Sequence, residues 1–307
     1  MDTCQIIVPI CGIDTSCVGL SINGWTIEKV NKNNVDDHIT DKLPNDLYNK
    51  IKELIYTEDT LLSMSFFYND INIDDPEEPD VESKESQPYF LILYKETDKY
   101  DDIIPIMNAL RMCSSSQVGC WYPLAHDNGL LKPTDCRIQY SHDVLQNDFP
   151  KLQRSKIETK EFDKLLHAII HNKTSSVVQL MRSFFHEACR TTNRYLSFIM
   201  RIIIMEMIVN GNGELVYRIS RYIAVLLGKN KEESKQIYDN IKKMYTARSC
   251  FLHDGKYEKI TDLYIELAFD YSRRVIANLM MINEDIETVR NTLDQAGYGD
   301  NPYSVIF

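Results

Sequence analysis

The sequence predicts two domains of different class, an α+β domain over residues 1–150 and an all-α helical bundle over residues 151–307. Short β-rich runs occur in the first part, and Asn23-Gly24 between two of them is a strong hairpin signal. After Ile157 such runs stop, and apolar residues recur at helical spacing. We place the boundary at residues 144–156, where Pro150 and mixed charge end the β-type pattern. A run of apolar-striped helices with short joints is typical of a bundle.

The first domain contains both strand and helix patterns. A long acidic segment in it, residues 69–87, is interrupted by proline and poor in core-forming residues, which predicts a loop. Its start resembles a calcium loop, but Asp75 replaces the required glycine. The pattern leaves substrate capture, partner binding and sensing open as roles for this domain. We expect strands at residues 5–10, 17–22, 25–30, 61–67, 89–94, 118–124 and 137–140, and helices at residues 44–56 and 99–112.

The second domain is predicted to be helical throughout. Its joints coincide with glycine and asparagine, which favour helix ends. The apolar tail after Tyr298 either docks on a partner protomer or folds back. The predicted helices are residues 160–171, 175–190, 194–209, 214–227, 231–252, 262–282 and 284–295.

Charge is distributed unevenly between the two domains. The chain has a formal net charge of −11, which argues against general affinity for nucleic acid. Residues 151–307 hold 23 Lys+Arg against 19 Asp+Glu, a net +4, whereas residues 1–150 hold 11 against 26, a net −15. The helical half is therefore the better candidate for contact with an anionic substrate. The acidic half either narrows substrate choice by repulsion or serves solubility alone.

Composition also indicates the cellular setting. The longest apolar run, residues 196–209, contains Arg201 and Glu206 and is too short to span a bilayer. The chain begins without the pattern of a signal peptide, and the eight cysteines form no C-x-x-C pair. We therefore expect a cytoplasmic protein with reduced thiols, no membrane association, no structural zinc and no cofactor.

The most informative stretch is Y-T-A-R-S-C-F-L-H-D-G-K, at residues 245–256, which closes a predicted helix. Arg248 continues the apolar stripe of that helix, so it requires a carboxylate, a phosphate or a partner subunit. His253 follows at the helix end, where the helix dipole favours imidazolium. An arginine can bind a phosphate through two hydrogen bonds, and a histidine can exchange protons with a ribose hydroxyl or a leaving oxygen. This combination suits metal-free RNA cleavage.

The spacing alone is not specific, because R-x(4)-H occurs a second time at Arg137 and His142. The alternative interpretation of Arg248 and His253 is a structural pair with a nearby Asp or Glu. Glu206, within an apolar helix, itself requires an arginine as its partner. Arg218 and Arg221 lie at i and i+3 on one helix, where they either bind phosphate, pair with Glu206 or face solvent.

Residues 158–283 resemble a HEPN domain, closest to the Apea-like branch. In that family an R-x(4–6)-H motif lies in a segment similar to "lY-x-x-R-S-x-x-x-H-G", and this chain has M-Y-T-A-R-S-C-F-L-H-D-G. It departs by one residue, since Asp254 stands between the histidine and the glycine. Residues 204–206 resemble the family's helix with a buried Glu, and residues 218–228 resemble its R-x-S-x-R-x-A-x-L-L helix.

The resemblance implies a metal-independent endoribonuclease, usually a homodimer with a composite active site, in a toxin or anti-phage defence setting. It implies RNA, often transfer RNA, as substrate, and leaves room for an antitoxin or regulatory protein as partner. Arg248 and His253 are the expected catalytic residues. The weaker candidates for substrate binding are Lys256, Tyr245, Ser249 and Arg221.

Two functions from other classes compete with this one. The helical bundle would serve as a non-catalytic dimerisation or protein-interaction module if the Arg248/His253 pair were structural. A metal-dependent phosphohydrolase would use the His-Asp dipeptides at His126-Asp127 and His142-Asp143, but such enzymes need them on helices with further ligands.

Overall fold

The computed structural model describes residues 4–31, 89–97, 103–116, 118–120, 124–127, 130–133, 150–191, 193–210 and 213–303. The helix expected at 44–56, the strands expected at 61–67 and 137–140, the loop at 69–87 and the dipeptide His142-Asp143 lie outside these residues. The chain divides into two compact units, Met1–Ile104 with Val118–Arg154 and Pro105–Gln117 with Ser155–Phe307. Each unit is described by itself below.

The first unit is built on an antiparallel sheet, whose spatial order is β2-β3-β4-β1-β6-β7 with β5 also on β1. The central pair, β1 and β4, aligns Cys4 with Thr97 and Ile10 with Leu91. Val8, Ile10, Trp25 and Ile27 are buried on this sheet. The strands are β1 (Cys4–Cys11), β2 (Ser21–Ile22), β3 (Trp25–Asn31), β4 (Tyr89–Thr97), β5 (Gly119–Cys120), β6 (Leu124–Asp127) and β7 (Leu130–Pro133).

The predicted hairpin at Asn23-Gly24 is confirmed. Both residues have positive φ, 50° and 81°, which is the backbone that a two-residue turn between twisted strands requires. The strand expected over residues 17–22 is wrong over residues 17–20. Thr15–Cys17 form a 3-10 turn that begins at Asp14, whose carboxylate accepts the Ser16 N–H, so only Ser21–Ile22 pair as a strand.

The second unit is helical, as expected. Its helices pack around the apolar side of α6, in which Ile219 and every residue from Tyr222 to Leu227 are buried. No helix among the described residues has both the length and the apolar character needed to cross a bilayer. The helices of the described chain are α1 (Ile103–Met112), α2 (Arg154–Ile157), α3 (Lys160–His171), α4 (Ser176–Arg190), α5 (Arg194–Glu206), α6 (Leu215–Leu227), α7 (Lys231–Asp254), α8 (Asp262–Ile282) and α9 (Ile286–Gln295).

Two helix ends differ from expectation for identifiable reasons. Helix α5 ends at Glu206 and not at Val209, because the carbonyls of residues 207–209 turn away from the helix and accept hydrogen bonds from Arg290. Helix α7 continues to Asp254, two residues beyond the expected end. Gly255 stops it in the left-handed conformation, with φ 68°, and its N–H donates to the carbonyls of Cys250 and Phe251.

The start of α7 is as expected. The side chain of Asn230 accepts the N–H of Glu233, and the first turn carries Glu232 and Glu233. The preceding joint is tight, because Gly228 packs against Ser234 and the carbonyl of Ala224. Helices α6 and α7 therefore form an antiparallel hairpin whose second member carries the candidate residues.

Candidate active site

Arg248 of α7 pairs with Glu206, the last residue of α5. The Nη2 atom of Arg248 lies 3.5 Å from Oε1 of Glu206, and the two side chains are 21% and 20% exposed. A carboxylate at the C-terminal end of a helix faces the negative end of the dipole, so it needs a cation nearby. The expectation that each of these residues requires the other type of charge is confirmed.

This ion pair leaves hydrogen-bonding capacity unused. Nε of Arg248 and Oε1 of Glu206 are buried without a hydrogen-bond partner among the described residues. The separation of 3.5 Å is long for a charge-assisted hydrogen bond, which prefers about 2.8 Å. The Arg248 guanidinium also lies over the ring of Tyr245, 5.4 Å from its centre. Arg248 is thus held between Glu206 and Tyr245, and an anion would have to reach its guanidinium through the exposed fifth of the side chain, because Nε itself is shielded from solvent.

Two other arginines of this unit, Arg221 and Arg290, are bound more completely. Arg221 donates to the carbonyls of Leu293, Asp294 and Ala296 at 2.6, 3.0 and 2.7 Å. Arg290 likewise donates to carbonyls after α5, the nearest being Ile208 at 2.8 Å. These guanidiniums act as caps for helix ends. This contrast separates Arg248 from Arg221 and Arg290, whereas Arg194 and Arg201, like Arg248, each keep one buried nitrogen without a hydrogen-bond partner among the described residues.

The surroundings of the ion pair also affect Tyr245. Burial and the nearby Glu206 carboxylate raise the pKa of the Tyr245 phenol, while the Arg248 cation acts in the opposite direction. The phenol is therefore a neutral hydrogen-bonding group beside the ion pair at physiological pH. Tyr245 is half-buried, so part of its ring remains open to a ligand.

His253 lies on a different side of α7 from Arg248. Five residues along a regular α-helix correspond to a rotation of about 140° and a rise of about 7.5 Å. Consistent with this rotation, His253 is exposed, whereas Arg248 lies among the core-facing positions Ile241 and Met244. One protomer thus does not direct the two side chains toward the same point.

The weaker candidates are distributed around the end of α7. Ser249 is half-buried and adjacent to Arg248. Lys256 is exposed and pairs with Asp254, with 3.2 Å between Nζ and Oδ2. Arg221 lies on α6, where backbone carbonyls engage its guanidinium. Tyr245 is the only one of these candidates for which a contact with Arg248 is shown.

A group of aromatic and exposed apolar side chains lies at the end of α7 and at the start of α5, and sequence reasoning did not identify it. Tyr195 of α5 stacks on Phe251 at 6.0 Å between ring centres and lies 5.7 Å from Tyr257. Leu252 and Tyr257 are 49% and 58% exposed, and Leu196 next to Tyr195 is 46% exposed. We call this surface the terminal apolar patch; it comprises Tyr195, Leu196, Phe251, Leu252 and Tyr257. Exposed apolar side chains grouped in this way make the patch a candidate interaction surface.

The residues of the phosphohydrolase alternative are only partly described. His126 and Asp127 lie at the end of strand β6 and not on a helix. Within the described part of the chain, no three His, Cys, Asp or Glu side chains are grouped as metal ligands. Cys17, Cys113 and Cys189 are buried, and Cys250 is half-buried.

Comparison with known proteins adds no identification. No family model, no curated protein and no solved structure matches the chain. The resemblance to HEPN domains therefore rests on the motif residues themselves.

Proposed function

We propose that the chain is a metal-independent endoribonuclease of the HEPN type, in which Arg248 binds the scissile phosphate and His253 transfers protons. The observation that carries the proposal is the incomplete pairing of Arg248. It is positioned by Glu206 and Tyr245, but its contact with the carboxylate is long at 3.5 Å, and about a fifth of its side chain is exposed to an incoming anion. A phosphate offers such a guanidinium two acceptor oxygens in a matching geometry.

The reaction is internal transesterification of RNA. The ribose 2′-oxygen attacks the adjacent phosphorus as its proton is removed, and the bond from phosphorus to the 5′-oxygen breaks. The leaving 5′-oxygen takes up a proton, so the products are a 2′,3′-cyclic phosphate and a 5′-hydroxyl. His253 serves in one of these proton transfers, and Arg248 stabilises the negative charge that develops on the phosphoryl oxygens.

The proposed enzyme is a homodimer with a composite site. The rotation of about 140° between Arg248 and His253 separates them within one chain. A second copy seated on the terminal apolar patch would bring the Arg248 and His253 of two chains toward one phosphate. The exposure of Leu252, Leu196 and Tyr257 supports this, because burial of such side chains favours association.

The wider setting follows from the resemblance. We propose a cytoplasmic toxin or anti-phage effector that acts on RNA such as transfer RNA, with room for an antitoxin or regulatory protein. The net charge of +4 in residues 151–307 supports contact of this half with RNA.

The proposal is tested by expression in a bacterial host, with the parent beside His253→Ala at matched soluble levels and total RNA run on a gel. Toxicity with discrete RNA fragments that disappears in the variant is the expected result. Purified parent protein should also cleave in excess EDTA and leave 2′,3′-cyclic phosphate ends. Cleavage by Arg248→Ala and His253→Ala at the parental rate would overturn the assignment.

The terminal apolar patch equally favours a second candidate, a non-catalytic dimerisation module in which Glu206 and Arg248 form a structural ion pair. Size-exclusion chromatography with light scattering distinguishes the two when combined with the cleavage assay. A module predicts a dimer that Leu252→Asp dissociates and no RNA cleavage by any form. The nuclease predicts that the same variant loses both dimer and activity.

A further inference from the structure

The outer surface of α6 and α7 carries a cluster of three tyrosines from separate parts of the helical unit. The ring of Tyr238 lies 6.3 Å from that of Tyr217 and 5.8 Å from that of Tyr298, both in edge-to-face geometry. Tyr217 and Tyr298 keep 47% and 38% of their surface exposed, and Tyr238 is half-buried. Three adjoining, partly open rings form a continuous aromatic surface, which we call the tyrosine platform.

The backbone on both sides of Tyr298 is anchored to the helices. Arg221 binds the carbonyls at the end of α9, immediately before Tyr298. Gly299 then packs directly on the start of α7: a Cβ there would lie 2.6 Å from the backbone nitrogen of Lys231, and its φ of 87° also favours glycine. The described part of the tail therefore folds back on its own protomer. Because the backbone is already ordered, a ligand that stacks on Tyr298 has only the side chain to immobilise.

Beyond the platform, α7 carries a cation, Lys242, and a further aromatic residue, Tyr245. Nζ of Lys242 lies 5.5 Å from the ring centre of Tyr238. Tyr245, one helical turn further, contacts the Arg248 guanidinium. In a regular helix, Tyr238, Lys242 and Tyr245 lie within about 60° of rotation, so they share one side of α7. Aromatic rings and cations thus alternate from the platform to the candidate active site.

The same side of α7 leads to His253. By helical rotation, Ser249 and His253 lie within about 60° of the direction of Tyr238, whereas Arg248 lies about 80° to the other side. The rise from Tyr238 to Arg248 is about 15 Å at 1.5 Å per residue. This distance corresponds to on the order of four stacked nucleotides at 3.4 Å each.

We propose that this surface binds the single-stranded RNA flanking the cleavage site, with bases stacked on Tyr217 and Tyr298 of the platform and a phosphate at Lys242. This inference rests on the proposed nuclease function. It adds a substrate class to that function, namely RNA whose bases are unpaired several nucleotides away from the scissile bond. Base stacking on tyrosine is sequence-tolerant, and cations along the same groove track the backbone. Both the Arg221 cation and the Asp239 carboxylate lie within electrostatic range of Tyr298, and their charges act in opposite directions there. Because backbone carbonyls already engage the Arg221 guanidinium, we assign the bases and not the phosphates to the rings.

Binding is measured with the full chain carrying His253→Ala, which keeps the RNA intact. Fluorescence anisotropy compares labelled single strands of about 12 and about 3 nucleotides. Tyr217→Ala and Tyr298→Ala should each weaken binding of the longer strand at least about 5-fold, since stacking contributes about 1–3 kcal/mol per base. Tyr217→Phe and Tyr298→Phe keep the ring and should bind within about 2-fold of the parent, and the short strand should respond to none of them. Lys242→Gln should make the RNA affinity less dependent on salt concentration, by the amount expected for the loss of about one phosphate contact.

Equal affinity of the Ala and Phe variants for the longer strand overturns the platform. If the Ala variants lose the fold, 4-thiouridine crosslinking of the parent sequence decides: crosslinks at peptides with Tyr217, Tyr238 or Tyr298 support the platform, and crosslinks only elsewhere refute it. A change in oligomeric state without a change in RNA affinity assigns the surface to a protein partner and also refutes it.

Cleavage of a short strand separates the two proposals. If the parent protein cleaves the short strand but the platform test fails, the nuclease proposal is retained and the platform is rejected. If the protein neither binds nor cleaves any RNA, both proposals are refuted.

Discussion

Replacing Arg221 and Arg248 one at a time by alanine separates structural from catalytic use of an arginine within one helical unit. Arg221→Ala removes three hydrogen bonds to carbonyls, all between 2.6 and 3.0 Å. Single hydrogen bonds to charged groups contribute about 1.5–3 kcal/mol, but the three share one cation and water can reach some of the freed carbonyls. We therefore expect a loss of about 3 kcal/mol in the free energy of unfolding.

Arg248→Ala should lower the free energy of unfolding much less than Arg221→Ala. The ion pair of Arg248 is 3.5 Å long and about a fifth of each side chain is exposed, so the space left by the guanidinium opens the buried Oε1 of Glu206 to water. Pairs of this kind contribute on the order of 1 kcal/mol. For a domain of this size, 1 kcal/mol corresponds to about 2–4 °C in Tm, so Arg221→Ala should lower Tm by roughly 6–12 °C and Arg248→Ala by less than about 4 °C.

The assay is thermal unfolding of the full chain, followed by circular dichroism at 222 nm, in parallel with RNA cleavage at a temperature at which every variant is folded. Arg248→Ala should be stable and inactive, and Arg221→Ala should be destabilised yet still cleave. If Arg248→Ala loses as much stability as Arg221→Ala, the ion pair is structural. That result would favour the non-catalytic dimerisation module over the nuclease. An Arg221→Ala variant that is stable but inactive would instead place Arg221 in substrate binding.

Three further substitutions test the packing of the chain. Gly228→Ala should destabilise the protein by about 1–3 kcal/mol, because its Cβ would lie 2.1 Å from Oγ of Ser234 and 2.7 Å from a backbone carbonyl. Gly213→Ala is the control, because a Cβ there would have no atom within 4 Å. Equal urea midpoints for the two variants would contradict the tight joint at Gly228. Arg201→Met should keep or raise stability, whereas Arg201→Ala should lose about 3 kcal/mol. The reason is that Arg201 is buried between Phe185 and Phe269 with its Nη1 unpartnered, and a large loss on Arg201→Met would show that the charge is needed. Gly255→Ala should cost about 1 kcal/mol through its φ of 68°, with Gly255→Asn milder, and no difference in Tm between the two would show that the end of α7 relaxes.

Much of the helical unit was predictable because helix limits depend on nearby residues. The Asn230 cap, the acidic first turn and the Gly255 stop of α7 lie within a few residues of the ends they define. Where prediction failed, a distant residue was responsible. The end of α5 is set by Arg290, more than 80 residues away, whose guanidinium takes the carbonyls of residues 207–209.

In the candidate site, too, some features depend on nearby sequence and others depend on distant residues. Helical periodicity alone placed Arg248 on the apolar stripe of α7 and required a counter-charge for it and for Glu206. The packing of α5 against α7 decided that these two meet each other, and that Arg221 instead caps α9. It also brought Tyr217, Tyr238 and Tyr298 together from α6, α7 and the tail. A 3.6-residue repeat determines which side of its own helix a residue occupies, whereas the partner across a helix interface depends on how whole helices pack, which no single stretch of sequence contains.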